Sequence, residues 1–334
     1  MRPAMREEQK YFSESAVLQA TKGVALIKPA ELPAIAKSPK ALAELAEAHI
    51  YFVCQRPRVR LVRGGRRKSE GIRFSLDIAD KGGTLTKEFL IPDKSLRPEV
   101  IAIEPERNGA YMVVMDGQQR DITPMMPLEE LLPFVGDRLP ELANLEVVYV
   151  GQAFGDSGSR TAVDRLQSHS TLQQVLADLA HASWWMEPVL SLFTYDAPQI
   201  ITKMDGRGSP EITGDEDLAH YMSIRDQPLS DAQAISIAEA SLIRYFQPHY
   251  NTHFKGNYPT SELLHLQDAY RLDYNAIITE IDTEDLYLSI FSKTQPPAEH
   301  HIAQFDLHDP KERFSFFEIR PSSRREVKKS SKRP

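Results

Sequence analysis

At 334 residues the chain is long for one hydrophobic core, and its length predicts two domains or one heavily elaborated domain. Apolar residues at 41% and charged residues at 26% exclude a disordered or fibrous chain. A net charge of -7 argues against wholesale coating of nucleic acid, and the single cysteine, Cys54, excludes an internal disulfide framework and a paired-cysteine metal site.

Taken in order, residues 1–50 carry a helical reading. A proline-broken connection at Lys28-Pro29 and Leu32-Pro33 leads to a helix in SPKALAELAEAH, begun by Ser38 or Pro39. The first fifteen residues hold no apolar core of signal-peptide length, and no window approaches the roughly 20 apolar residues of a membrane span. The expectation is a cytoplasmic protein with no membrane partner.

From Ile50 to about Met125 the pattern turns to short strands, separated by Gly64-Gly65, Gly82-Gly83, Asn108-Gly109 and Asp116-Gly117. This predicts an antiparallel β region in which Cys54, within IYFVC, is a buried small side chain. The segment from Gln55 to Lys68 holds seven cations in fourteen residues and no acid. Alternation in RVRLVR sets Arg58, Arg60 and Arg63 near one strand face. That face is either solvated or a phosphate-binding surface formed by Arg58, Arg60, Arg63, Arg66, Arg67 and Lys68.

Residues 127–144 read as short helices interrupted by Pro133 and Pro140. A buried-type strand, VVYVG, then ends at Gly151, and the polar loop after it offers Ser157 and Ser159 as helix caps. In the helix that follows, Val163, Leu166, Leu172, Val175, Leu176 and Leu179 make an apolar stripe. Arg165 and His169, four apart, are expected on one side of that helix. Residues 205–226 are rich in Gly, Pro and acids and predict a loop or insertion.

Ser230 and Gln233 form a capping box for DAQAISIAEASLIRYFQ. Ile235, Ala238, Leu242 and Phe246 mark its apolar face. Glu239 lies on or beside that face, where an unpaired carboxylate is costly, so it requires an arginine, a metal or strong donors. Pro248 ends the helix. The later runs AIITEI, LYLSIFSK, HIAQFDL and FSFFEI are strand-like and either complete the first β region or form a unit of their own.

LEVVYVGQAFGDSGSRTAVDRLQSH and AEASLIRYFQPHYN together resemble the GIY-YIG endonuclease family. Tyr149-Val150-Gly151 stands at the family's Tyr-Ile-Gly half-motif. Arg165 stands at its helix arginine, with Arg160 as a rival, and His169 at a position that is histidine in some members. Glu239 stands at its metal-binding glutamate and Asn251 at its asparagine, with Lys255 just beyond. Gly109-Ala110-Tyr111 is the candidate for the first half-motif, displaced upstream by inserted helices.

The resemblance implies an α+β chain. Its GIY-YIG-like α/β domain, with a small antiparallel sheet, spans 126–258. A mostly β region (1–125) and a β-rich segment (259–320) flank it, and a basic tail (321–334) follows. It also implies hydrolysis of phosphodiester bonds in nucleic acid, DNA first, with one Mg²⁺ or Mn²⁺ held by Glu239. Arg165 would neutralise phosphate charge, Tyr149 or Tyr111 would orient or deprotonate the attacking water, and His169 would relay a proton. The alternative is a non-catalytic protein using the same fold to grip nucleic acid or a protein.

Overall fold

The strand that everything else packs around is Ala48–Pro57, whose stretch from Ile50 to Cys54 is fully buried on both faces. Such a strand reads as a continuous apolar run because neither face meets water. The computed structural model describes residues 8–118, 121–135, 138–154, 161–204 and 209–309. Ala48–Pro57 lies in the middle of a five-stranded sheet, antiparallel to Asn144–Gln152 on one side and Met186–Tyr195 on the other. Thr21–Ile27 adds antiparallel to Met186–Tyr195, and the short strand Ser289–Phe291 adds parallel to Asn144–Gln152.

Odd and even residues of the central strand feed two different cores, as strand geometry demands. Tyr51 and Val53 pack with the helices Ala162–Gln167 and Ser170–Ala182, through Val163, Leu166, Leu172, Val175 and Leu179. Ile50, Phe52 and Cys54 face the helix Asp231–Phe246, meeting Ile235, Ala238, Leu242 and Phe246. The opposite side of that helix, with Ile237 and Ala240, packs on Val17 and Ile277 of a second, four-stranded sheet. This sheet runs Gln199–Lys203, Glu14–Gln19, Ala276–Asp282, His300–Asp306. The Glu239-bearing helix is therefore buried between two sheets.

Between the two central strands, residues 58–143 form an inserted β module. One three-stranded sheet joins Val59–Arg63, Gly71–Asp80 and Gly83–Pro92. A four-stranded sheet joins Asp121–Pro127, Tyr111–Met115, Ala102–Glu106 and Gly65–Arg66. Arg56 ties the module to the main sheet. Fully buried, it donates to Glu129 (2.5 Å), Glu187 (3.0 Å) and the Leu142 carbonyl (2.9 Å).

The architecture is mixed α/β with several sheets. It corrects several expectations. The start of the chain is extended rather than helical, in Glu8–Tyr11, Glu14–Gln19 and Thr21–Ile27, because its apolar residues are covered by sheet neighbours. The expected helix after Ser38 is real but short, Pro39–Glu44, with Ser38 Oγ accepting from the Ala41 amide at 3.3 Å. A boundary at residue 125 does not follow the sheets, since Thr21–Ile27 and Ala48–Pro57 pair with strands from beyond it.

The stretch expected to be a loop holds the helix Asp215–Asp226. Its first turn carries Asp215, Glu216 and Asp217, charges that favour a helix N-terminus. Asp217 there accepts from the Ser13 amide at 2.8 Å. The C-terminal strands neither complete the first β region nor stand alone: Ala276–Asp282 and Ser289–Phe291 enter separate sheets. Residues 205–208, Ser157, Ser159, Arg160, the run FSFFEI and the basic tail lie outside the described residues.

Candidate active site

The two central strands bring two tyrosines side by side at one end of the sheet. In their antiparallel register Tyr51 pairs with Gly151 and Val53 with Tyr149, and the Tyr51 and Tyr149 rings lie 6.2 Å apart, centre to centre. Gly151 makes this possible. A Cβ on it would fall 2.6 Å from the Tyr51 Cζ and hydroxyl and 2.7 Å from Tyr149 Cε1. Only a residue without a side chain leaves room for both rings.

Asn251 fixes the strand from the other side. Its Oδ1 accepts from the Val150 amide at 2.9 Å and its Nδ2 donates to the Val150 carbonyl at 2.8 Å. The buried amide thus acts as one more strand residue for the backbone between Tyr149 and Gly151. The Tyr250 amide continues the pairing, donating to the Val148 carbonyl at 2.9 Å.

Around the tyrosines stand a guanidinium, a carboxylate and an imidazole. Exposed Arg165 acts on the Tyr51 hydroxyl and favours its charged form, and the Tyr51 and Tyr149 hydroxyls act on one another. Burial holds both phenols above their ordinary value, and the Glu239 charge adds to this, so both are neutral at physiological pH. Glu239 projects from the helix Asp231–Phe246 toward the same strand end. Burial pushes its carboxyl up to about 7, against hydrogen bonds from Gln152 and the charge of Arg165. Gln152 is itself held by Ser236, one turn before Glu239, at 3.4 Å.

The helix expected to carry both Arg165 and His169 is broken between them. Ala162–Gln167 stops, and Ser170–Ala182 restarts with His169 as its N-cap. His169 Nδ1 accepts from the Leu172 amide at 3.1 Å, which puts the ring proton on Nε2. Burial first, and Arg165 second, lower its pKa, so the ring is neutral at neutral pH. It lies 5.1 Å from the Tyr149 ring and 5.7 Å from the Tyr51 ring. It can donate one hydrogen bond from Nε2, but Nδ1 is committed to the helix.

Tyr111 does not reach this site. It lies in the inserted module on Tyr111–Met115, buried beneath Lys28 (4.6 Å) and Arg107 (5.6 Å). The tyrosine that pairs beside Tyr149 is Tyr51, in His49-Ile50-Tyr51, which sequence reading passed over as part of the buried run IYFVC. Two features concealed it: 98 residues separate it from Tyr149 (149 − 51), and a histidine stands where the half-motif has glycine. His49 is used locally, its Nδ1 lying 2.9 Å from the Ala153 carbonyl and its ring edge-on to Phe154. Lys255 is not drawn in either. Its carbonyl accepts from Gln247 Nε2 at 2.9 Å, and the charge acting on its amine is that of Lys293.

The basic run divides. Arg58 donates to the Met186 carbonyl at 3.3 Å, and Arg60 pairs with Glu187 at 2.6 Å. Arg67 pairs with Asp93 at 2.6 Å and donates to the carbonyls of Arg97, Pro98 and Val100. Arg60 and Arg67 are taken up by carboxylates within the protein, which corrects their assignment as free phosphate contacts, and Arg58 spends one donor on a carbonyl. Arg63, Arg66 and Lys68 are exposed, with no ion pair among the described residues.

Among the described residues there is no cluster of three or more His, Cys, Asp or Glu able to enclose a metal, and no helix long and apolar enough to cross a membrane. In comparison with known proteins, no family model, curated protein or solved structure matches the chain.

Proposed function

We propose that this protein is a metal-dependent nuclease of the GIY-YIG kind, hydrolysing phosphodiester bonds in nucleic acid, with DNA the first substrate to test. The observation that carries the reading is the convergence of Tyr51, Tyr149, Arg165 and Glu239, drawn from four separate segments, at one end of one sheet. Structural ion-pair networks also perturb pKa values. Here, however, the carboxylate is desolvated without a full counter-charge, and its arginine neighbour remains exposed.

The residues fit one hard divalent cation. Glu239 is a desolvated carboxylate whose hydrogen-bond partner is a neutral amide, so a cation there would offset its burial. With a single protein carboxylate, the remaining ligands would be waters and phosphate oxygens, a pattern that suits Mg²⁺ or Mn²⁺. When bound, such an ion would polarise the phosphate and stabilise the leaving oxygen.

The chain's own groups would do the rest. Arg165, exposed beside Tyr51, would offer its donors to phosphate oxygens and neutralise charge building at phosphorus. Tyr149, whose hydroxyl feels Glu239, Arg165 and Tyr51, would position the attacking water. Neutral phenols suit this orienting role better than direct proton abstraction. His169 would hold its Nε2 proton for a phosphate or water oxygen.

The test is cleavage of labelled single- and double-stranded DNA and RNA with Mg²⁺ or Mn²⁺, and with chelator, by the parent, Glu239→Gln and Tyr51→Phe proteins. Metal-dependent cleavage lost in both variants supports the reading. Cleavage that survives in Glu239→Gln, or in chelator, refutes it. Binding without cleavage by the parent would favour the non-catalytic alternative.

A further inference from the structure

We propose that the inserted β module carries a second nucleic-acid site, separate from the catalytic one, in which Arg63, Arg66 and Lys68 hold the phosphodiester backbone of a long substrate. The site is a groove of about 530 Å³ between the module's two sheets, lined by these residues together with Arg73, Glu88 and Glu104. The proposal rests on the nuclease reading only for what the bound strand is used for. Binding in the groove is measurable without cleavage.

The chain is built to present these cations. Gly64-Gly65 carries it from one sheet into the other at van der Waals contact. A Cβ on Gly64 would lie 2.0 Å from the Ile103 carbonyl oxygen, and one on Gly65 would lie 2.0 Å from that of Arg73. No other residue fits, so Arg63 and Arg66 leave a pinned piece of backbone on either side of the crossing. Arg67 turns inward and locks the next stretch to Asp93 and three carbonyls, while Lys68 closes a tight turn with Gly71. Inward Arg67 between outward Arg66 and Lys68 is the alternation of extended chain. Exposed cations on a rigid frame bind a polyanion with little ordering cost at the backbone.

Charge selects the occupant. The groove's unpaired cations favour phosphates, and its one lining aromatic, Phe74, is buried in the core and offers no base-stacking face. Recognition is then of the backbone and carries no sequence preference. Glu88 and Glu104 line the same groove and offset part of its positive charge. The module is rooted where Ala48–Pro57 ends, six residues from Tyr51, or roughly 20 Å along the strand.

The experiment uses full-length protein in chelator and fluorescence anisotropy of labelled 30-residue single-stranded and duplex DNA, and their RNA equivalents, across a salt series. Arg63→Ala, Arg66→Ala and Lys68→Ala are combined and compared with the parent and with a control removing Lys37, Lys40 and Lys94, also exposed. Losing three duplex contacts should reduce the log-log salt slope by roughly 2.7. Between 50 and 200 mM salt, the parent should then lose roughly 40-fold more affinity than the triple variant. The DNA and RNA arms identify the backbone preferred.

An unchanged slope, an equal change in the control, or a parent that binds none of these probes overturns the groove. The two readings fail separately. If cleavage is not metal-dependent but the slope still falls, the nuclease assignment is lost and the groove stands. If Glu239→Gln abolishes cleavage while the slope is unmoved, the reverse holds.

Discussion

Replacing Glu239 by glutamine should stabilise the metal-free protein, and the gain should appear only as pH rises. In the folded chain, burial raises this carboxyl from its ordinary 4.5 to about 7. At roughly 1.4 kcal/mol per pH unit, that difference is worth at most about 3.5 kcal/mol, and the solvent contact that the half-buried side chain keeps reduces it to about 1–3 kcal/mol. Below pH 4.5 the group is protonated whether folded or unfolded, and its stabilising contribution is fully present. As pH rises toward 7 the unfolded chain ionises first, and the folded state loses that advantage until both are charged. The glutamine variant has no such loss. Its stability relative to the parent should therefore climb between about pH 4.5 and 7 and level off above, which in a chain of this size is a few degrees of melting temperature. Thermal or urea unfolding in chelator from pH 4.5 to 8.5 measures it. Millimolar Mg²⁺ at pH 8 should then raise the parent's melting point and leave the variant's unchanged. A stability difference that is flat with pH, or one favouring the parent above pH 7, would refute a desolvated carboxylate at this position.

Tyr51→Phe should lower cleavage by about 10²-fold or more, while Tyr111→Phe, in the inserted module, should leave it near the parent's rate; equal effects in a cleavage assay would dissolve the assignment of the first tyrosine. Gly151→Ala forces a methyl group into both tyrosine rings and should cost about 1–3 kcal/mol in denaturant unfolding together with most of the activity. Asn251→Ala strands a buried amide and a carbonyl at Val150 and should cost about 2–4 kcal/mol, with amide exchange at Val150 accelerated as the specific sign. Arg56→Ala leaves Glu129 and Glu187 facing each other without their shared cation and should destabilise by about 3–5 kcal/mol, read from urea midpoints.

Local chemistry was readable wherever neighbours in sequence are neighbours in space. The Ser230–Gln233 capping box forms as written, with Gln233 Oε1 accepting from the Ser230 amide at 3.0 Å. The periodicity that set Ile235, Ala238, Leu242 and Phe246 on one face also set Glu239 there, and the carboxylate is desolvated as that placement requires. Arg165 and Tyr149 were nameable because each sits in a contiguous stretch with its own motif. The helix joining Arg165 to His169 was misread for an equally local reason: a histidine can cap a helix by accepting at Nδ1, and apolar spacing alone does not register that interruption.

The partner of Tyr149 belongs to a different class of information. Which tyrosine pairs beside Gly151 depends on which strand the sheet accepts as its neighbour, and an 86-residue insertion (58–143), with Tyr111 inside it, separates the strands of Tyr51 and Tyr149. Loop closure grows costlier only slowly with length, so separation in sequence neither forbids nor favours such a pairing. The fate of the arginines is similar. Arg58, Arg60 and Arg67 look the same as Arg63 and Arg66 along the chain, yet Arg60 and Arg67 pair with Glu187 and Asp93 and Arg58 donates to Met186, residues remote in sequence. Charge, helix capping and a core-facing position can be read along the chain, because those properties act within a turn or a strand. Which of these residues meet is set by packing, which joins segments whose contacts have no signature in either one alone.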